Sequence, residues 1–225
     1  KPDITAPGSW VASALSSSAP MTWAQGTPDG KYYEWASGTS MAAPHVSGGA
    51  ALFGQYYQNA YNEKPTPSLI KAALINGAVN LEGGRFGGKA PVPNNEEGWG
   101  MMDLTNTLPT DETVDYVNRN VKLETGDVYT KNVDITSEKP LKITMAYSDV
   151  AAAPNANPTL VNNLNLIVRG PNGQTYVGNA MSNGWSDPSI KATDNLNNLE
   201  NVFIKDPVKG TYTVTVHGAS VPQDA

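Results

Sequence analysis

One stretch of this 225-residue sequence has the residue types and spacing for covalent chemistry: Ser37-Gly38-Thr39-Ser40-Met41-Ala42-Ala43-Pro44-His45-Val46-Ser47-Gly48. It sets a serine where a glycine-containing loop turns into a helix. In the first turn of a helix the backbone N–H groups lack intrahelical acceptors and the dipole is positive, so developing negative charge is stabilised there. Ser40 is therefore the candidate nucleophile, and its N–H the candidate oxyanion donor. Gly38 would let a substrate chain approach closely, and Thr39 and Met41 lie next to the reacting position. Pro44 should cost little if the N–H that it removes belongs to the first turn. Ala42, Ala43, Gly48, Gly49, Ala50 and Ala51 are small on every side of the helix, which should let it press into a core and hold the hydroxyl still.

A serine hydroxyl also needs a general base in hydrogen-bond reach, oriented by a third group. The chain has two histidines. His45 follows Ser40 by five positions on the same helix, which turns it elsewhere. His217 follows Thr211, Thr213 and Thr215 on the polar face of a strand, where a solvated residue is expected. Neither supplies the base. A second chemistry is open to Asp149, Asn163, Asn165, Asp194, Asn197 and Asn201, whose oxygens suit calcium, a cation that takes six to eight oxygen ligands. If Leu164, Leu166 and Val168 face a core, Asn163 and Asn165 share the opposite face, where a polar loop could close over them. Plain Asn-rich loop chemistry accounts for these residues equally well.

The elements that must position these residues fall into two grammars. Residues 1–109 are rich in Gly, Ala and Pro and carry two helical patterns. The first runs from about Thr39 to Tyr57. The second starts at an N-cap, Thr66, with Pro67 in the first helical position, shows a stripe of Leu69, Ile70, Ala73 and Leu74, and stops at Asn76-Gly77, as an amphipathic surface helix would. The boundary is placed at Leu108-Pro109-Thr110-Asp111. Residues 110–225 alternate with period two at Leu141, Ile143, Met145 and Tyr147, at Leu164, Leu166 and Val168, and at Tyr212, Val214 and Val216, the mark of half-buried strands. Pro171-Asn172-Gly173 and Asp206-Pro207 with Gly210 are turn signals between them. An all-β sandwich or jelly roll follows, with Asn179 to Asn201 expected as a long polar loop.

Bulk properties narrow the function classes. Net charge is −6 with a pI near 4.9, and no basic run could track a phosphate backbone, so a nucleic-acid partner is not expected. No apolar stretch approaches the roughly 20 residues of a membrane span. The chain has no cysteine, hence neither disulfide nor thiol nucleophile.

The run from Gly38 to Gly48 resembles the active-site serine signature of the subtilase family (subtilisin-like serine proteases), and Lys1-Pro2-Asp3-Ile4-Thr5-Ala6-Pro7-Gly8 resembles the segment that precedes it in those enzymes. Gly98-Trp99-Gly100 with Met101-Met102-Asp103-Leu104 is similar to the segment that closes their catalytic domain. In the second half, Pro158 to Leu166, Gly170-Pro171-Asn172-Gly173 and Glu200-Asn201-Val202-Phe203-Ile204 resemble the oxidant-tolerant alkaline proteases with a C-terminal jelly roll, a P-domain-like appendage. The resemblance implies an α/β partial catalytic domain, with an incomplete parallel sheet around a buried helix, joined to the β-domain. It implies endopeptidase action on protein substrates through an acyl-enzyme on Ser40, with no catalytic cofactor, a structural calcium as the metal of interest, and secretion. It also implies that the triad Asp and His and an oxyanion-hole Asn lie on an N-terminal part that this chain lacks, so that the chain alone is inactive and that part is its partner. Met41 resembles the family's oxidation-prone methionine, whose sulfoxide would crowd the oxyanion region. The alternative, from a different class, is a non-catalytic binding or structural β-sandwich module with a vestigial serine.

Overall fold

A computed structural model describes residues 1–24, 31–81, 91–109, 113–118 and 122–223. Contacts divide the chain into two compact units, one of Lys1–Glu63 with Gly77–Leu108, the other of Lys64–Asn76 with Pro109–Ala225. Of the expected boundary, Thr110 and Asp111 lie outside the described residues. The second helical segment, expected among the first 109 residues, is assigned up to Asn76 to the second unit.

In the first unit, β1 (Val11–Ala14) and β2 (Tyr33–Ala36) form an antiparallel hairpin in the register Val11↔Ala36 to Ala14↔Tyr33. Helix α1 (Thr39–Tyr61) leaves β2 within three residues and ends at Asn62, whose φ of 53° turns the chain through the left-handed region. Among the described residues the unit has no parallel sheet; a parallel bridge, Thr5↔Met101, is its nearest equivalent. The expectation of a helix buried on all sides is corrected too. Only Gly49, Phe53 and Tyr57 of α1 are buried, one stripe at a spacing of four, while Ala43, Gly48, Ala51 and Leu52 are exposed. Small residues permit close packing all round, but this chain lays neighbours along one face alone.

Helix α2 (Pro67–Gly77) starts as its sequence predicts, with Thr66 Oγ1 accepting from Leu69 N at 3.2 Å. It is not a surface helix, however. Leu69, Ala72, Ala73, Leu74 and Ile75 are all buried, so apolar contact extends well beyond the expected stripe. A short helix, α3 (Leu104–Thr107), is capped by Asp103, whose carboxylate accepts from Thr105 N and Asn106 N.

The second unit is built from antiparallel strands. Its larger sheet has the order β3 (Val128–Ile135), β10 (Gly210–Ser220), β5 (Asn163–Arg169), β6 (Thr175–Val177), and a pair is formed by β4 (Leu141–Ala146) and β9 (Leu199–Ile204). Leu166, Val168, Tyr176 and Tyr212 from the larger sheet meet Val202 and Ile204 from the pair in one core, lined by Ile135, Leu141, Ile143, Met145 and Val214. Each fully buried aliphatic or aromatic side chain contributes roughly 1.5–3 kcal/mol. Residues 179–201, expected as one polar loop, instead contain the hairpin of β7 (Met181–Ser182) and β8 (Trp185–Ser186) and the start of β9. His217, expected in solvent, is half-buried because it pairs with Asn165 on one side and Val128 on the other.

Candidate active site

The backbone around Ser40 is fixed by a ladder of contacts between two stretches far apart in sequence. Below the hairpin pair Val11↔Ala36, Trp10 N donates to Ser37 Oγ at 2.8 Å, and Gly38 N donates to Gly8 O at 2.7 Å. A Cβ on Gly8 would sit 2.7 Å from Gly38 O and 3.1 Å from Ala42 Cβ. Only a glycine lets the Pro7-Gly8 segment press this closely on the loop. Gly38 has φ 154° and ψ 170° and is the N-cap of α1, its carbonyl accepting from Met41 N at 3.0 Å and from Ala42 N at 3.3 Å. No Cβ at that position narrows the space before Ser40.

Ser40 is exposed and is the second residue of α1, so its N–H is one of the donors that the helix cannot use. Its hydroxyl hydrogen-bonds to none of the described residues. Serine in this setting can attack an electrophile and stabilise the resulting oxyanion, but no described side chain is placed to take its proton. Thr39 is exposed beside it, and Met41 is half-buried, its Sδ 3.9 Å from where a Cβ of Gly38 would be. His45 is excluded as a base by its own helix: Nδ1 bonds to Met41 O at 2.8 Å, one turn back. Pro44 corrects a further expectation. It is the sixth residue of α1, past the first turn, so the bond it removes is the one that Ser40 O would have accepted.

The remaining segments of the unit close on the same frame. Trp99 N donates to Asp3 O at 3.0 Å, Thr5 N to Gly100 O at 3.0 Å and Met102 N to Thr5 O at 2.9 Å. Met102 packs against Gly49 on the buried stripe of α1. The three stretches singled out by sequence, 1–8, 37–48 and 98–104, are thus in contact with one another or with α1. What sequence reasoning missed is the part of Gly8; the signal was a glycine ending a Pro-containing segment upstream of a reactive loop.

Of the six residues expected to offer oxygens to calcium, Asp149, Asp194 and Asn201 carry oxygens that already accept hydrogen bonds. Asp149 is occupied as a loop brace, Oδ1 accepting from Val150 N and Asn162 N and Oδ2 from Val161 N. Asp194 and Asn197 are together in one turn, but both Asp194 oxygens are already filled by Leu196 N, Asn197 N, Asn197 Nδ2 and Asn179 Nδ2. Asn201 Oδ1 accepts from Thr144 Oγ1 at 2.6 Å. Asn163 and Asn165 share the face of β5 away from the core, as expected, with no hydrogen-bond partner for either Oδ1. Among the described residues no three acidic, His or Cys side chains group as a metal site.

The most perturbed carboxyl of the unit was not among the candidates. Glu200 is fully buried in β9, with Oε2 accepting from Leu166 N at 2.6 Å. Burial pushes its pKa up to about 8, against the lowering effect of the Leu166 N–H and with help from the charge of Asp194. Neighbouring Tyr147, whose hydroxyl donates to Asn162 O and accepts from Leu164 N, is pushed up to about 12, again chiefly by burial.

Comparison with known proteins places this geometry in context. A profile of the subtilase family matches residues 1–100. The serine protease/ABC transporter B family protein tagA of Dictyostelium discoideum is 29% identical over 98% of this chain and 14% of its own length. The minor extracellular protease Vpr of Bacillus subtilis is 33% identical over 66% of the chain and 17% of its own length. Subtilisin-like protease SBT4.13 of Arabidopsis thaliana is 26% identical over the whole chain and 31% of its own length. The chain therefore spans a minor part of each of these relatives. The matched residues, which enclose Ser40 and the contacts that hold it, are similar to the subtilase family of serine proteases over positions 1–100.

Proposed function

We propose that this chain is the nucleophile-bearing part of a serine endopeptidase. Ser40 Oγ attacks a peptide carbonyl, its proton passing to a histidine base; the tetrahedral oxyanion is met by Ser40 N–H; the amine leaves with that proton; water then hydrolyses the acyl-enzyme. The histidine, its orienting aspartate and a second oxyanion donor from an asparagine side chain come from a part of the protease outside this chain, and without it the chain does not hydrolyse peptides. The observation that carries the reading is an exposed serine in the first turn of a long helix, held by the Gly8–Gly38 contact, whose hydroxyl and N–H bond to none of the described residues. Protein substrates follow from the family, and an extracellular setting is in keeping with relatives such as Vpr. The antiparallel second unit is read as the jelly-roll appendage of such enzymes.

The test is Ser40→Ala in the full-length protease. Peptide hydrolysis should fall on the order of 10⁶-fold in kcat, as when a nucleophile is removed, with substrate affinity kept. Hydrolysis that survives the substitution would refute the assignment.

A further inference from the structure

Asparagine followed by glycine occurs three times, at Asn76-Gly77, Asn172-Gly173 and Asn183-Gly184. This dipeptide can modify itself. The glycine nitrogen, once deprotonated, attacks the side-chain amide carbon, the C–N bond of the amide breaks and ammonia leaves, giving a succinimide. Water then opens the ring at one of its two carbonyls, yielding aspartate or, with the main chain rerouted through the side chain, isoaspartate. The reaction requires an asparagine amide free to rotate and a glycine N–H not held in a hydrogen bond.

The fold withholds these conditions from two of the three pairs. Asn76 Nδ2 donates to Lys142 O at 3.1 Å and to Thr144 Oγ1 at 2.9 Å, and Gly77 is a buried residue of α2 whose N–H belongs to the helix ladder. Asn172 Oδ1 accepts from Gln174 N at 3.1 Å, its Nδ2 donates to Gln174 Oε1 at 3.0 Å, and Gly173 N donates to Gly170 O at 3.0 Å. The third pair is different. Asn183 and Gly184 are the two-residue loop between β7 and β8, with φ values of 51° and 82°, the doubly positive pattern of a type I′ turn. The strand pair Ser182↔Trp185 closes that loop, so neither central residue is needed for it. Asn183 is exposed, and neither its side chain nor the Gly184 N–H bonds to any described residue.

We propose that Asn183 is a self-modification site of the folded protein, converting through a succinimide with Gly184 to aspartate and isoaspartate, while Asn76 and Asn172 are protected. Either product adds a negative charge to the loop. Isoaspartate also lengthens the main chain in a turn that sets the register of Ser182 and Trp185. The hairpin it disturbs is tied to β9 by Phe203 N donating to Ser186 Oγ at 2.9 Å.

The experiment ages the full chain in mildly alkaline buffer, folded and in parallel unfolded in concentrated urea. Peptide mapping by mass spectrometry and labelling by an isoaspartate methyltransferase then locate the product. In urea all three pairs should react; in the folded chain modification should build up at Asn183 at least several-fold faster than at Asn76 or Asn172, and Asn183→Gln should remove it. Faster modification of the folded chain at Asn76 or Asn172, or an unchanged Asn183 that does react in urea, would overturn the proposal.

Discussion

Gly8 carries more of the site than its distance from Ser40 in sequence suggests. Any Cβ there meets the Gly38 carbonyl, a backbone group that cannot rotate away, and the Ala42 methyl behind it. Gly8→Ala should therefore lower stability by about 1–3 kcal/mol, as overpacking does, and move the loop that aims Ser40. In the active protease the result should be a fall in kcat larger than any rise in KM, since misplacement by about 1 Å can cost on the order of 10²-fold. Steady-state kinetics and urea unfolding of the same variant check both halves; an unchanged kcat would show that the contact does not position the nucleophile. Pro44 acts at the same scale, freeing the Ser40 carbonyl by having no N–H to offer it.

At the scale of elements, β6 ends at Val177 and the Glu200 carboxyl takes over its role on the edge of β5, binding Leu166 N. The folded pKa of about 8 lies above the ordinary 4.5, so the folded state holds this proton more tightly than the unfolded chain does. The associated stability is complete below about 4.5 and is lost as pH rises towards 8, a tenfold difference in proton affinity being worth about 1.4 kcal/mol. Glu200→Gln should remove this part of the pH dependence, so that the variant outlasts the parent at pH about 9 while the gap closes near pH about 5. Urea midpoints across that range measure it, and parallel profiles for the two proteins would contradict it. How far such elements can be read from sequence depends on what specifies them. Thr66-Pro67 and Asn76-Gly77 mark the ends of α2 because caps are local chemistry, and the alternation in β4, β5 and β10 follows from one face being buried. The exposure of α1 was not legible, since small residues allow contact without saying which neighbour provides it. Nor was the hairpin β7–β8, two strands of two residues each, too short to show a period. Ser40 was legible because its neighbours are constrained in type, whereas the carboxylates of Asp149 and Asp194 look the same in sequence whether or not backbone N–H groups already occupy them.

For the whole molecule, two units each carry a separate task. The first ties residues 3–8 to the loop before Ser40 and to residues 99–102, and the second builds an antiparallel core of its own. The central claim is that the chain supplies the nucleophile and oxyanion N–H, and depends on another part of the protease for the base. A fluorophosphonate probe, which phosphonylates only an activated serine, tests it most directly when applied to this chain alone and to the whole protease. Labelling at Ser40 in the whole protease and none in the isolated chain is the predicted result. Equal labelling of Ser40 in the isolated chain, or a whole protease labelled at some other serine, would contradict it.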